Sequence, residues 1–296
     1  FGSRVIASVI GILFLQNPFV HAHATRHLLT EPLHLLLAVT LLFVVADYLL
    51  RRKPGTLVLA GALAGLDYLT RPNGLFIFAS LVASLGLYEG WRLYRVPWKV
   101  RSEGMAIALS AALAILAFIA VSAPSWIPRY EYFGNPIHHG YLTNYLWTDS
   151  YKEGHVGQRF AIYSSKDYFA SHGVKDVVLR WAHGIGECGF TIPIRTEGRW
   201  PALYFLALAG FLMTLWKGAP ACRVLALFGT LQMLPLVWTN LSNPTIRVPY
   251  AAELPFELIF AAIFLHELPR LRDAALAFLG TLPRRRRCRI LSALPG

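Results

Sequence analysis

The residues best able to do chemistry are four arginines, each near a proline at the start of an apolar run: Arg26 before Pro32, Arg71 beside Pro72, Arg199 before Pro201 and Arg247 before Pro249. Proline suits a first helical turn, where its missing N–H is not needed. An arginine there opposes the partial positive charge of a helix N-terminus. An anion removes the conflict, because guanidinium groups and helix N-termini together form a phosphate site. Glu31, within Thr25–Pro32, is the carboxylate best placed to take a proton beside such a site. It serves equally well as a first-turn acid that stabilises its own helix. The competing reading is interfacial: arginine snorkels, and Glu31, Asp67, Glu197 and Glu253 with Glu257 offer local carboxylate partners.

These residues must be positioned by membrane helices. The 296-residue chain is 55% hydrophobic and 15% charged, with mean hydropathy +0.47; soluble domains carry about 25% charged residues. Eight continuous apolar runs, at 4–20, 32–50, 57–70, 73–89, 104–124, 201–216, 223–239 and 249–267, read as helical spans. The third and fourth are short enough to tilt or to pair as a hairpin. Arg51–Lys53, Arg92–Arg101, Lys217 with Arg223, and Arg284–Arg287 fall on one side, which is cytoplasmic by the positive-inside rule. Both ends of the chain are therefore expected in the cytoplasm. The net charge of +12 follows this topology, and nucleic-acid binding is not expected. The expected fold is all-α: a polytopic membrane bundle of about eight spans with a periplasmic loop carrying interfacial helices. Its parts are 1–124 (five spans), 125–200 (outer loop), 201–268 (three spans) and 269–296 (basic tail).

The outer loop is rich in tyrosine and tryptophan, which favour the headgroup level. Tyr168–His183 mixes apolar and charged residues as a helix lying on the membrane plane would. Asp47 and Asp67 each precede an arginine by four residues, so local pairs with Arg51 and Arg71 are expected. Glu257, near the middle of the last run, must be paired, protonated or set in a wet cavity. His21, His23, His27 and His34 are too loosely spaced for a metal site and read as wet interfacial histidines. Cys188, Cys222 and Cys288 are far apart, and neither a disulfide nor a metal site is expected. The opening at Phe1 reads as the inside of a helix, which leads to the expectation of an N-terminally incomplete chain.

Three segments in order carry a family resemblance: Arg26-His-Leu-Leu-Thr-Glu-Pro-Leu, Leu59–Leu75 with its Thr-Arg-Pro-Asn-Gly, and Asn243-Pro-Thr-Ile-Arg-Val-Pro-Tyr. The chain resembles GT-C-fold glycosyltransferases, in the branch of protein O-mannosyltransferases and the lipid A aminoarabinose transferase. The resemblance implies a polyprenyl-phosphate-linked sugar donor bound from the outer leaflet of a bacterial inner membrane, with the active face periplasmic. The acceptor would be a lipid, glycan or protein hydroxyl. It also implies an acidic base on the first outer loop, upstream of Phe1. Within this sequence the expected donor-phosphate residues are Arg26, Arg71 and Arg247, and the expected catalytic carboxylate is Glu31. His27, Asn73, His138, His139 and Tyr250 are the candidate contacts to sugar or acceptor. No cofactor is expected; a divalent metal is compatible with such transfer but not required. A transporter or flippase of lipid-linked sugars is the alternative, but it would carry repeated broken helices, and no internal repeat is evident.

Overall fold

The computed structural model describes residues 4–16, 31–95, 101–138, 141–150, 152–153, 164–191, 202–240 and 247–281. No strand occurs among them. The long helices are α1 (Arg4–Gln16), α2 (Glu31–Arg51), α3 (Pro54–Thr70), α4 (Gly74–Arg95) and α5 (Arg101–Phe133). Three short ones follow: α6 (Tyr141–Tyr145), α7 (Ser165–Ser171) and α8 (Val174–Gly186), the last running into a π-helical turn, Glu187–Thr191. The chain closes with α9 (Ala202–Lys217), α10 (Pro220–Thr239) and α11 (Arg247–Thr281).

Among the described residues, four helical segments are long and apolar enough to cross a membrane: Pro32–Arg51, Gly74–Tyr94, Gly104–Phe133 and Pro220–Thr239. Of the other expected spans, 57–70 and 249–267 lie on α3 and α11, and the described parts of 4–20 and 201–216 lie on α1 and α9. α3 and α9 are shorter, and α11 carries more charge. Three helices outrun their expected ends, α4 reaching Arg95 beyond the expected 89. α5 continues through Pro124 and Pro128 to Phe133, and α11 continues through Pro255 and Pro269 to Thr281. A proline removes one ladder hydrogen bond but does not end a helix whose neighbours hold it.

The helices pack through small residues. A β-carbon on Gly61 of α3 would overlap the carbonyl of Ala114 on α5, and one on Gly210 of α9 would overlap that of Phe260 on α11. Such contacts bring helices together where lipid supplies no hydrophobic drive. The most extensive packing joins these same pairs, α3 with α5 and α9 with α11. α2 packs on α3 and α11, while α10 packs on α4. Two polar clusters mark opposite ends of α2. Its first turn meets the last turn of α3 through His34 and Asp67. Just past its last turn, Arg52 meets Glu89 of α4.

Candidate functional site

The turn Arg71-Pro72-Asn73 joins α3 to α4 and organises one end of the bundle. Arg71 is the C-cap of α3: its extended backbone donates N–H to the Asp67 carbonyl at 2.8 Å, and its own carbonyl accepts from Gly74 at 3.0 Å. This corrects the dipole argument at Arg71. The guanidinium belongs to the C-terminal end of a helix, where a cation is favoured, as much as to the approach to α4. Asn73 is buried, and its carbonyl accepts from Ile77 at 3.1 Å, starting the α4 ladder.

Beside this turn lies a pocket of about 130 Å³. Tyr68, Pro72, Leu75 and Phe76 form its floor, and Asn135, Ile137, His138, Thr143 and Leu146 form its roof. Tyr68 is held from below by Phe118 and Trp126, and its hydroxyl accepts from Arg129. His138 is buried against the Phe133 ring at 4.6 Å. That burial pushes its imidazole below the ordinary value, so it is neutral at pH 7 and able both to donate and to accept.

The roof is fixed by a second cluster. Arg180 of α8 is 2% exposed and fully matched. Its Nε donates to the Trp238 carbonyl at 2.8 Å, Nη1 to Asp149 at 3.0 Å and Nη2 to the Tyr145 carbonyl at 3.0 Å. The guanidinium also lies over the rings of Trp238 and Tyr168, 4.4 Å and 4.9 Å from their centroids. Trp238 Nε1 donates to the Leu146 carbonyl at 2.6 Å, so a pocket-lining residue is tied directly to the end of α10. His172 adds a further tie. Nε2 contacts Asp149 at 2.5 Å and Nδ1 contacts the Tyr168 carbonyl at 2.9 Å. The backbone carbonyl and the carboxylate both favour the protonated ring and hold its pKa above the ordinary value.

Beneath the turn lies the His34–Asp67 dyad. Nδ1 and Oδ1 are 2.7 Å apart, and both side chains are 0% exposed. Thr70 Oγ1 stands 3.5 Å from the same Oδ1 and donates to the Asp67 carbonyl at 2.7 Å. His34 Nε2 and Asp67 Oδ2 are buried with no hydrogen-bond partner among the described residues. Two expectations are corrected here. Asp67 pairs with His34 rather than Arg71, and His34 is a core histidine rather than a wet interfacial one. The antiparallel hairpin of α2 and α3 brings the two to one level, closer than a partner along α3 itself.

Elsewhere the local pairs hold in part. Arg51 Nε meets Asp47 at 2.8 Å. Glu257 is buried and, with Glu253, lines a second cavity of about 200 Å³ between α9, α10 and α11, whose other lining residues are mostly apolar. The expected single helix at Tyr168–His183 is two, broken at His172-Gly173, where α7 ends and α8 begins. Val174, Val178 and Ile185 are exposed along one side of α8, while Arg180 and Gly184 are buried on the other. The Cys188 thiol is buried and pushed up to about 12, which leaves it unreactive.

Of the expected site residues, His138 lines the pocket, while Arg71 and Asn73 belong to the adjoining turn and are not among the lining residues. Arg26, His27 and His139 lie outside the described residues. Glu31, Arg247 and Tyr250 are described as helix positions only: Glu31 opens α2, and Arg247 with Tyr250 begins α11. Sequence reasoning missed Arg129, Arg180, Asp149 and the dyad. The only signal for the dyad was two ionisable residues at similar depth in successive apolar runs. Among the described residues, no cluster of histidine, cysteine and carboxylate side chains could hold a metal. No protein-family model, curated protein or solved structure matches this chain.

Proposed function

We propose that the chain is a membrane glycosyltransferase of GT-C type, an eight-span bundle whose Arg71 end faces the outside of a bacterial inner membrane. It takes a sugar from a polyprenyl-phosphate donor and gives it to an acceptor hydroxyl. The observation that carries this reading is the pocket at the Arg71 turn. Buried His138 and Pro72 of the turn line it, Arg71 and buried Asn73 flank Pro72 in the chain, and its roof is tied to α10.

The roles follow from charge. As the anomeric bond breaks, negative charge grows on the departing phosphate, and Arg71, with Arg26 and Arg247, offsets it. A carboxylate takes the proton of the attacking hydroxyl, and Glu31, opening α2, orients the acceptor or an arginine. Neutral His138 suits a sugar hydroxyl, to which it can donate and accept. The apolar side of α8 rests on the headgroup layer. The prenyl tail remains in lipid, so the protein need recognise only the phosphate and the sugar.

The test is product identification. Membranes containing the chain are given a panel of radiolabelled polyprenyl-phosphate sugars, and label is followed into lipid, glycan and protein fractions. Transfer of one sugar above control membranes is expected, with a loss of about tenfold or more in Arg71→Ala, the scale of one charge-stabilising donor. Label that stays on every donor, or moves equally well with Arg71→Ala, defeats the reading.

A further inference from the structure

We propose that the groove between α4 and α5 holds one acyl chain of an anionic phospholipid, whose headgroup rests on Arg52, Lys53 and Arg92. Both helices pack on α3. They meet each other at two levels. Phe78 stacks on Phe118 with ring centroids 4.0 Å apart, and a β-carbon on Gly104 would lie 3.4 Å from Leu93. Between those levels they leave a cavity of about 120 Å³. Leu57, Leu81 and Ala114 are buried at its floor. Val82 and Gly86 are exposed at its lip, so it opens sideways from the bundle. A β-carbon on Gly86 would meet nothing within 4 Å. The lining is apolar except at one end, where Tyr48 and Glu89 close it.

The polar end supplies the charge. Glu89 accepts from both Arg52 and Arg92, so one carboxylate carries two guanidiniums and the cluster keeps one surplus positive charge. Arg52 turns onto Glu89 from just past the end of α2 at φ 57°, a left-handed conformation uncommon outside glycine. Lys53, next in the chain, is exposed and adds a second surplus charge. Asp47 is matched by Arg51 and takes up none of it. The Arg52 and Arg92 side chains keep 33% and 29% exposure, so an anion can reach them. These residues stand at the ends of two membrane-length segments, Pro32–Arg51 and Gly74–Tyr94, which is the level of lipid headgroups. Basic pockets between membrane helices at that level select anionic lipids. The gap itself selects the tail. A second helix, about 10 Å across, would rest on the lip and leave the cavity empty. A hydrocarbon chain fills it and restores the dispersion contacts that its lining lacks.

The test uses the purified full chain in nanodiscs of phosphatidylcholine with a minor share of phosphatidylglycerol. Lipid that stays on the protein after mild detergent extraction is counted by native mass spectrometry. The wild type should keep one phosphatidylglycerol in preference to phosphatidylcholine by about fivefold or more, the worth of one basic residue at an anionic surface. Lys53→Gln should lower that preference about fivefold. Gly86→Leu fills the groove from a position with open space around it, so it should lose the bound lipid. Lys217→Gln, at the end of α9 and away from the groove, should change nothing. Equal retention of the two lipids by the wild type overturns the headgroup site, and lipid kept in full by Gly86→Leu overturns the groove. An equal drop in Lys53→Gln and Lys217→Gln reduces the effect to general attraction and overturns the site. A dimer that Gly86→Leu dissociates gives the groove to a second copy, and polyprenyl phosphate that displaces the phosphatidylglycerol gives it to the donor lipid; each overturns the proposal. The wild-type preference and Lys53→Gln, at an exposed position, keep the test decisive if Gly86→Leu does not fold.

Discussion

The two ends of α2 treat a buried carboxylate in opposite ways. Near its C-terminal end, Glu89 is 5% exposed and saturated. It pairs with Arg52, accepts from Arg92 at 2.8 Å and meets Tyr48 at 3.3 Å, while Arg52 also donates to Tyr88 at 2.6 Å. Near its N-terminal end, Asp67 has His34 at 2.7 Å and an open Oδ2. A saturated cluster can change its charge only by breaking itself, so it acts as a fastening. A pair with open positions keeps the capacity to take a further hydrogen bond. The contrast separates a staple from a buried pair with polar positions to spare.

Arg180 sharpens the comparison, because its three donor positions are all matched and it should behave as Glu89 does. Arg180→Ala strands two carbonyls and removes one of the ties between the roof and α10, at a cost of about 3–5 kcal/mol, mostly from two buried acceptors left unpaired at about 1–3 kcal/mol each. Denaturant unfolding in detergent should show it, with a change in tryptophan fluorescence from Trp238. Glu89→Ala should cost less, about 2–3 kcal/mol, because the Arg52 and Arg92 side chains keep 33% and 29% exposure and can hydrate. Asp67→Asn should cost under about 1 kcal/mol, since it loses one charge-assisted hydrogen bond but also a buried charge. A loss as large as that of Glu89→Ala would erase the distinction between the two ends.

The smallest effect is a pH dependence within the roof. The folded His172 pKa is raised by its backbone carbonyl partner and Asp149, so its contribution is complete below the unfolded value near 6.5 and is lost as pH rises through the higher folded value. His138 has the opposite sign. Burial lowers its folded pKa, so its contribution is present above about 6.5 and is lost as pH falls. Asp149 is 39% exposed, which keeps the His172 effect modest. Thermal scans of His172→Gln against the wild type should converge as pH rises from 6 to 8. Curves that stay parallel would remove the imidazolium from the roof.

Much of the helical plan was legible because apolar runs and flanking charges are one-dimensional signals. The Asp47–Arg51 pair was legible for the same reason: it lies within one helical turn. His34 and Asp67 are thirty-three residues apart, and only the α2–α3 hairpin makes them neighbours. Arg180 reads as a polar-face residue of an amphipathic helix. Its burial depends on Gly184, one turn later, where a β-carbon would overlap the Val237 carbonyl of α10. The helix break at His172 was hidden because Gly173 falls inside an otherwise continuous amphipathic pattern. At the Arg71 turn the residue types were informative, but the helix end to which the arginine belongs was not.

The central claim is that the Arg71 end holds a lipid-linked phosphate. The most direct measurement compares polyprenyl phosphate binding by Arg71→Ala with binding by Arg51→Ala, an exposed arginine at the other end of α2. The account predicts that Arg71→Ala weakens binding about tenfold or more, the scale of a charge-assisted contact, while Arg51→Ala leaves it unchanged. Equal affinities in the two variants would contradict it.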